Sequence, residues 1–436
     1  MPLNTEQETA LDAVVAGKSL FITGPGGVGK SYLIREIKNR LLALGKTVAV
    51  TAMTGCAALQ LECGAKTLHS WAGVGLGREP VSELIKILRW RKNAKARMRW
   101  ASTDVLIIDE VSMMTAEFLE KLDEIGRNFR GKPARMMGGL QLVLVGDFAQ
   151  LPPVSQSDIS GAFIEQAMLF DSQIWKECID TTICLKQIQR QSDPILQGIL
   201  NEARMGSLSP ASISVLESRH ISKHTLGDIL PTLIYSMNGK VDRINNTKLD
   251  ALDSDLIVRM ATPCTAYKKG DVPEDEAEVK RILAKLDNDA AYVPVLCMKL
   301  GAQVMLLKNL DVEAGLVNGS RGVITRFTES QAPVVKFVNG YEMPMEVEAW
   351  MSEDNPKIGK MQYPIRIAYA ITIHKSQGAT LDCALVDIGK DTFEYGQAYV
   401  ALSRIRSLEG LFISDFQIDK IRAHPRVIEF YRLLSA

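Results

Sequence analysis

The chain has 436 residues, too many for one ordinary core and enough for two large domains with smaller insertions. A hydrophobic share of 46% with 23% charged residues reads as a soluble globular protein, and no apolar stretch approaches the roughly 18 residues that span a bilayer. The 51 basic and 51 acidic residues cancel, so bulk charge gives no sign of a nucleic-acid partner, and seven scattered cysteines without a Cys-x-x-Cys pair read as reduced thiols with no zinc.

Leu20–Thr23 is the first short apolar run, of the kind buried in parallel sheets. It leads into Gly24-Pro25-Gly26-Gly27-Val28-Gly29-Lys30-Ser31, and a helical pattern from Lys30 to Leu44 closes at Gly45. Glycines there let backbone N–H groups turn inward around phosphate oxygens, and the following helix adds the positive end of its dipole. The spacing assigns Lys30 to the β- and γ-phosphates and Ser31 to Mg²⁺. A nucleoside triphosphate is the expected ligand.

Further strands are expected at Val48–Thr51, Val105–Ile108 and Leu142–Val145, interrupted by a segment from about 74 to 100. Within that segment, Lys86 to Arg99 holds seven Lys or Arg residues and no acid, with Trp90 and Trp100 in or beside the run. A DNA-facing surface and a solvated helix face both fit that pattern. Asp109 and Glu110 end the third strand, where one carboxylate can hold Mg²⁺ and the other orient an attacking water; Asp109 is assigned to the metal and Glu110 to the water. The fourth strand ends in Gly146-Asp147-Phe148-Ala149-Gln150, and Gln150 can sense a γ-phosphate. Arg190 and Arg404 are candidates for the cation that hydrolysis requires from outside the binding domain.

The second half begins its own α/β pattern without a second phosphate loop: Thr232–Tyr235, an Asn238-Gly239 turn, a helix from Val241 to Leu252, then strands at Val304–Leu307, Ile367–Ala370, Ala384–Val386 and Leu411–Ser414. Short β-rich pieces between Val317 and Tyr363 predict a small inserted β-barrel, and Asp271–Glu278 an acidic surface segment.

In order, these segments resemble superfamily 1 DNA helicases of the 5′-to-3′ branch, and specifically the petite integration frequency (PIF) family. The resemblance is carried by Leu3-Asn-Thr-Glu-Gln7, Thr51-Ala-Met-Thr-Gly55-Cys-Ala-Ala58, Thr67-Leu-His69-Ser-Trp71, Asp109 through Met114, Gly138 through Asp147, Thr372-Ile-His374-Lys-Ser-Gln377-Gly378 and Tyr395 through Arg404. It implies an α/β chain of two RecA-like P-loop domains, 1–175 and 176–436, with a wedge insertion in the first at about 74–100 and a β-barrel insertion in the second at about 317–363. ATP would lie between the domains and single-stranded DNA would cross both. The family pattern gives Gln7 to adenine, Gln377 and Gly378 to the nucleotide, and Arg190 and Arg404 to two fingers from the second domain. Thr54, Gly55, Thr67, His69, Thr372, His374 and Lys375 would line the DNA track.

The resemblance therefore implies an ATP- and Mg²⁺-dependent 5′-to-3′ helicase acting on single strands and junctions, with G-quadruplexes and DNA–RNA hybrids as family substrates, and roles in replication, repair, recombination or telomere maintenance. A monomer in the cytoplasm of a bacterial or phage-infected cell, without a membrane partner, is the expected state. The chain ends soon after the sixth motif, as a compact catalytic core would. A RecD-like or Dda-like helicase of the same polarity, a non-translocating ATP-gated DNA-binding factor and an RNA remodeller are the alternatives.

Overall fold

The computed structural model describes residues 2–153, 156–157, 163–164, 166–223, 229–267, 273–288, 292–311, 313–352 and 355–435. The first two residues of the acidic Asp271–Glu278 segment and the side chain of Lys92 lie outside that set.

Six parallel strands form the first sheet: β1 Leu20–Thr23, β2 Val48–Ala52, β3 Lys66–Thr67, β4 Val105–Asp109, β5 Gln141–Val145 and β6 Thr181–Cys184, in the order β3-β2-β4-β5-β1-β6. Every residue of β1 and β4 is buried, because helices cover both faces, and this is why these strands read as unbroken apolar runs. The helix Lys30–Ala43 turns Leu33, Ile34, Ile37 and Leu41 onto the sheet, one face of a 3.6-residue period. β6 lies past residue 175, so the first sheet takes a strand from beyond the expected domain limit.

A second parallel sheet of four strands contains β7 Thr232–Tyr235, β8 Ala370–Thr372, β9 Ala384–Ile388 and β10 Leu411–Phe416 in the order β8-β7-β9-β10. The chain between β7 and β8 builds antiparallel sheets from strands lying between Ile257 and Ile367, a wider stretch than 317–363. The largest has five strands, including Gln303–Leu306, Arg321–Phe327 and Ile365–Ile367, around a core of Val304, Leu306, Ile324, Val335, Phe337 and Ile365. Two expected strands lie elsewhere in the structure. Val304–Leu307 belongs to this antiparallel sheet and not to the parallel one. Flanked by Arg321–Phe327 and Ile365–Ile367, its strand is buried throughout and gives the same apolar signature as a parallel strand. Ile367–Ala370 is a corner, its first residue ending one sheet and its last opening the other.

The 74–100 segment folds as helices Val81–Arg89 and Ala94–Ser102. Trp100, at the end of the basic run, is fully buried, packs tilted against Trp71 with ring centroids 4.7 Å apart and donates its indole N–H to Ala72 O at 3.0 Å. It is core and is not available to a base; Trp90, by contrast, is 53% exposed. Two of the run's cations are also structural. Arg99 donates to the Trp71 and Ser70 carbonyls at 2.8 and 2.7 Å, and Arg97 to the Trp90 carbonyl at 2.8 Å. Trp100→Ala is expected to cost about 3–5 kcal/mol, read as a lower denaturant midpoint, because the Trp71 pocket cannot collapse onto the space left. A midpoint within error of the parent would contradict that packing.

The C-terminal helix Pro425–Ser435 returns from the second sheet to the first. Phe430 stacks on Phe170 at 4.5 Å and meets Phe148 edge-on at 5.3 Å, beside Phe21 of β1 and Trp175. One continuous apolar core thus runs beneath both sheets.

Candidate nucleotide cleft and nucleic-acid track

The loop between β1 and the helix Lys30–Ala43 closes around its own backbone. Gly27 has φ +87°, and a Cβ there would lie 2.6 Å from the Cβ of Arg190, so neither its conformation nor its surroundings admit a side chain. The Gly27 carbonyl accepts the N–H groups of Gln189 and Arg190 at 2.7 and 3.1 Å. Lys30 folds back and donates to the Gly24 and Pro25 carbonyls at 2.8 and 3.0 Å. Burial pushes its ammonium down from the ordinary lysine value, against the pull of Asp147, Glu110 and Asp109.

Glu110 adopts φ +56°, a left-handed conformation rare outside glycine, immediately after the end of β4. Its N–H donates to Asp109 Oδ1 at 2.9 Å. Burial, then the Glu110 charge, pushes Asp109 up to about 7. Among the described residues, Glu110 Oε2 and Gln150 Oε1 are buried without a hydrogen-bond partner. Buried acceptors without donors, beside a carboxyl that resists ionisation, suit a hard divalent cation and its waters, so the residues present fit Mg²⁺.

Asp109 also makes stability pH-dependent. A carboxyl whose folded-state pKa stands above its unfolded value contributes stability at low pH, and that contribution is lost as pH rises from the ordinary aspartate range through about 7. Asp109→Asn in the nucleotide-free protein is expected to flatten this part of the pH–stability curve in thermal melts. An unchanged slope would show that Asp109 titrates normally.

Lys30, Ser31, Glu110, Gln150, Gln189 and Arg190 line a cleft of about 540 Å³ together with Gly378, Thr380, Arg404 and Arg406. Arg404 donates through Nε to Val400 O at 2.9 Å and through Nη2 to Ser403 Oγ at 2.6 Å, and a Cβ on Gly26 would lie 3.6 Å from its Nη2. Arg190 Nη1 donates to Ser403 O at 3.0 Å. Burial, then the charge of Arg404, pushes Arg190 down to about 9. Two guanidinium groups that repel one another beside the cleft gain from a polyanion that contacts both. Arg190 was expected to come from the second domain with Arg404. Its backbone is instead fastened to the phosphate loop, and its guanidinium reaches the segment that carries Arg404.

Gln7 is buried against the loop, its Oε1 accepting the Asn4 N–H at 3.1 Å and its Nε2 reaching Val28 O at 3.4 Å. Gln377 is buried, with Nε2 unpartnered among the described residues, and its carbonyl accepts Gln60 Nε2 at 3.0 Å. Next to it, Gly378 has φ +75° and leaves no room for a Cβ, which would overlap the Gln60 amide. Gln60 therefore ties the first domain's Gly55–Gln60 helix to the second domain's side of the cleft. Nothing in its local sequence marks it.

The residues expected to line a DNA track sit at or just beyond the C-terminal ends of parallel strands, where open α/β sheets bind ligands. Thr54 follows β2, Thr67 ends β3 and Thr372 ends β8. Their hydroxyls accept the N–H groups of Ala57, Ser70 and Lys375 at 3.2, 3.3 and 3.3 Å, which opens a short helix after each strand. His69 stacks on Phe118 at 4.9 Å, and burial lowers the pKa of both His69 and His374, so each imidazole is neutral near pH 7. Lys375 and Cys56, the neighbour of Gly55, line a second cleft of about 990 Å³ that also touches the antiparallel sheets at Tyr292, Lys308 and Trp350. Thr67 and His69 are not on its wall.

Residues 2–202 match the family described as PIF1-like helicase, and residues 287–327 match the 2B domain of DNA helicase Pif1. A crystal structure of Pif1 helicase from Candida albicans is 37% identical, with a TM-score of 0.77 and complete coverage of both chains. The chain belongs to the PIF1-like helicase family. The ATP-dependent DNA helicase PIF1 of Xenopus laevis is 37% identical over 437 residues, which take in 99% of this chain and 64% of that relative. This PIF1-like chain thus spans just under two thirds of the length of that curated relative. Pif1 helicase from Bacteroides, in complex with ADP-AlF3 and single-stranded DNA, is 26% identical with a TM-score of 0.66, covering 100% of this chain and 98% of that one. The 2B match falls within the antiparallel sheets, and the PIF1-like match runs past β6.

Proposed function

We propose that the chain is an ATP-dependent DNA helicase that moves 5′-to-3′ along single-stranded DNA and opens duplexes ahead of it. The observation that carries this reading is the composite cleft: a phosphate loop on the first sheet faces Arg404, which follows the second sheet's helix Gln397–Leu402. The relative from Bacteroides that binds a nucleotide analogue and single-stranded DNA supports it. Lys30 and the loop amides would hold the β- and γ-phosphates, and Glu110 would orient the attacking water. Gln150 would read the γ-phosphate, and Arg404, with Arg190 beside it, would offset charge in the transition state. Mg²⁺ held by Ser31 and Asp109 would supply charge neutralisation at the phosphates.

Binding that engages both walls favours the closed cleft, and hydrolysis removes that preference. Thr54, Gly55, Thr67 and His69 on one domain, and Thr372, His374 and Lys375 on the other, would grip the strand alternately. Gln7 would contact the adenine edge. The first domain, taken through Cys184, carries the wedge, and the second carries the antiparallel insertion. Junctions, G-quadruplexes and DNA–RNA hybrids are proposed substrates of the same movement, and the monomer is the proposed active unit.

ATP hydrolysis is expected to rise at least about tenfold with single-stranded DNA, a loss of about 1.4 kcal/mol from the barrier. Duplexes with a 5′ tail are expected to be opened and those with a 3′ tail left intact. Absence of stimulation would overturn the translocase reading, and preference for the 3′ tail would overturn the polarity.

A further inference from the structure

A carboxylate that the proposed mechanism does not use lies buried between the two domains. Asp147, just beyond β5, is fully buried, and besides the Ala149 N–H of its own loop its donors are side chains from three elements that follow the first sheet. Arg204, ending the helix Pro194–Arg204, donates through Nε to Oδ2 and through Nη2 to Oδ1, both at 2.9 Å. Tyr399 donates to Oδ2 at 3.2 Å and Tyr431 to Oδ1 at 2.9 Å. Burial alone would push Asp147 up, but the Arg204 guanidinium outweighs it and holds the carboxyl below its ordinary range. A buried charge persists only where its hydrogen bonds are met in good geometry, so this cluster tolerates little displacement of any member.

The two phenols differ in what else they touch. Tyr431 accepts the Phe148 N–H at 3.0 Å and meets Thr23 Oγ1 at 2.7 Å, both in the first domain. Tyr399 accepts the N–H of Gly26, inside the phosphate loop, at 2.8 Å. It stands on the helix Gln397–Leu402, to which Arg404 is fixed through Val400 O and Ser403 Oγ. This hydroxyl therefore ties the phosphate loop directly to the helix that orients Arg404, while Arg190 and Gln191 hold the turn after that helix through the Ser403 carbonyl.

We infer that Tyr399 is a positioning residue: its hydroxyl, bridging Gly26 N–H and Asp147, registers the Arg404 guanidinium against the phosphate loop. This rests on Arg404 acting as the finger. The phenol needs no charge for the task. Burial and the neighbouring Asp147 push its pKa up, so it remains a neutral group that accepts from Gly26 and donates to Asp147. Loss of the hydroxyl leaves ring packing in place and frees the helix to shift, and misplacement by about 1 Å can cost up to 10²-fold in rate.

The test uses the full chain with saturating single-stranded DNA and compares Tyr399→Phe, Arg404→Ala and the double variant in steady-state ATP hydrolysis. Thermal melts accompany each variant, and kinetics are taken well below the lowest midpoint. Tyr399→Phe is expected to lower kcat about tenfold while KM for ATP stays within about threefold, because the lost interaction acts in the transition state. The double variant is expected to be no slower than Arg404→Ala alone, since a residue that works only through Arg404 has nothing further to lose. An unchanged kcat in Tyr399→Phe, or losses that multiply in the double variant, would overturn the inference and leave the finger reading intact. Full turnover in Arg404→Ala alone would instead remove the finger reading on which it rests.

Discussion

Lys30→Ala is expected to lower ATP turnover by about 10²–10³-fold or more, the scale seen when one preorganised donor to a developing anion is removed. The structure gives the reason. Among the described residues the ammonium is the only lysine charge on the cleft wall, and it donates to the Gly24 and Pro25 carbonyls, within the loop that would surround the phosphates. Affinity for single-stranded DNA without nucleotide is expected to stay within about twofold, since Thr54, Thr67, Thr372 and Lys375 lie on other surfaces. Steady-state hydrolysis and fluorescence anisotropy with a labelled oligonucleotide measure the two effects separately. Retained turnover would refute the assignment of Lys30, and a parallel collapse of DNA binding would show that loop and track are one surface.

The cleft was legible in the sequence where function sits on consecutive residues. Gly24 to Ser31 must be contiguous because one loop wraps one phosphate chain, and Asp109-Glu110 must end a strand because the sheet aims them. Gln60, Arg204 and Tyr431 were not legible. Each acts across the domain boundary, Gln60 on Gln377 and the other two on Asp147, and a single side chain at a long-range contact leaves no periodicity behind it. The same limit explains Val304–Leu307. A central antiparallel strand and a parallel one are both covered on two faces, so the apolar run is identical and only the partner strands differ. Trp100 shows that an aromatic beside cations need not be a stacking platform. The ring closes the core behind the basic run, and Arg99 caps the carbonyls of Ser70 and Trp71.

Arg404→Ala is expected to lower DNA-stimulated kcat by about 10³–10⁵-fold, the range associated with an arginine finger and equal to about 4–7 kcal/mol of barrier. Three features set it apart from an ordinary ion-pair arginine. It is 2% exposed, its group follows a helix of the second sheet's domain, and its Nη2 lies near the phosphate loop of the first. Burial pushes its pKa down and Glu110 opposes that, so the charge is held at a cost that an anionic transition state offsets. Arg404→Lys is not expected to restore turnover. Nε and Nη2 are spent on Val400 O and Ser403 Oγ, which aims the remaining donors, and an ammonium has no such fork. Arg190→Ala should behave differently. Its backbone already belongs to the phosphate-loop side, so nucleotide affinity is expected to weaken along with kcat, whereas Arg404→Ala should spare KM. Turnover near the parent level in Arg404→Ala would show that the second domain contributes no finger, and the cleft would then bind nucleotide without coupling its hydrolysis to domain closure.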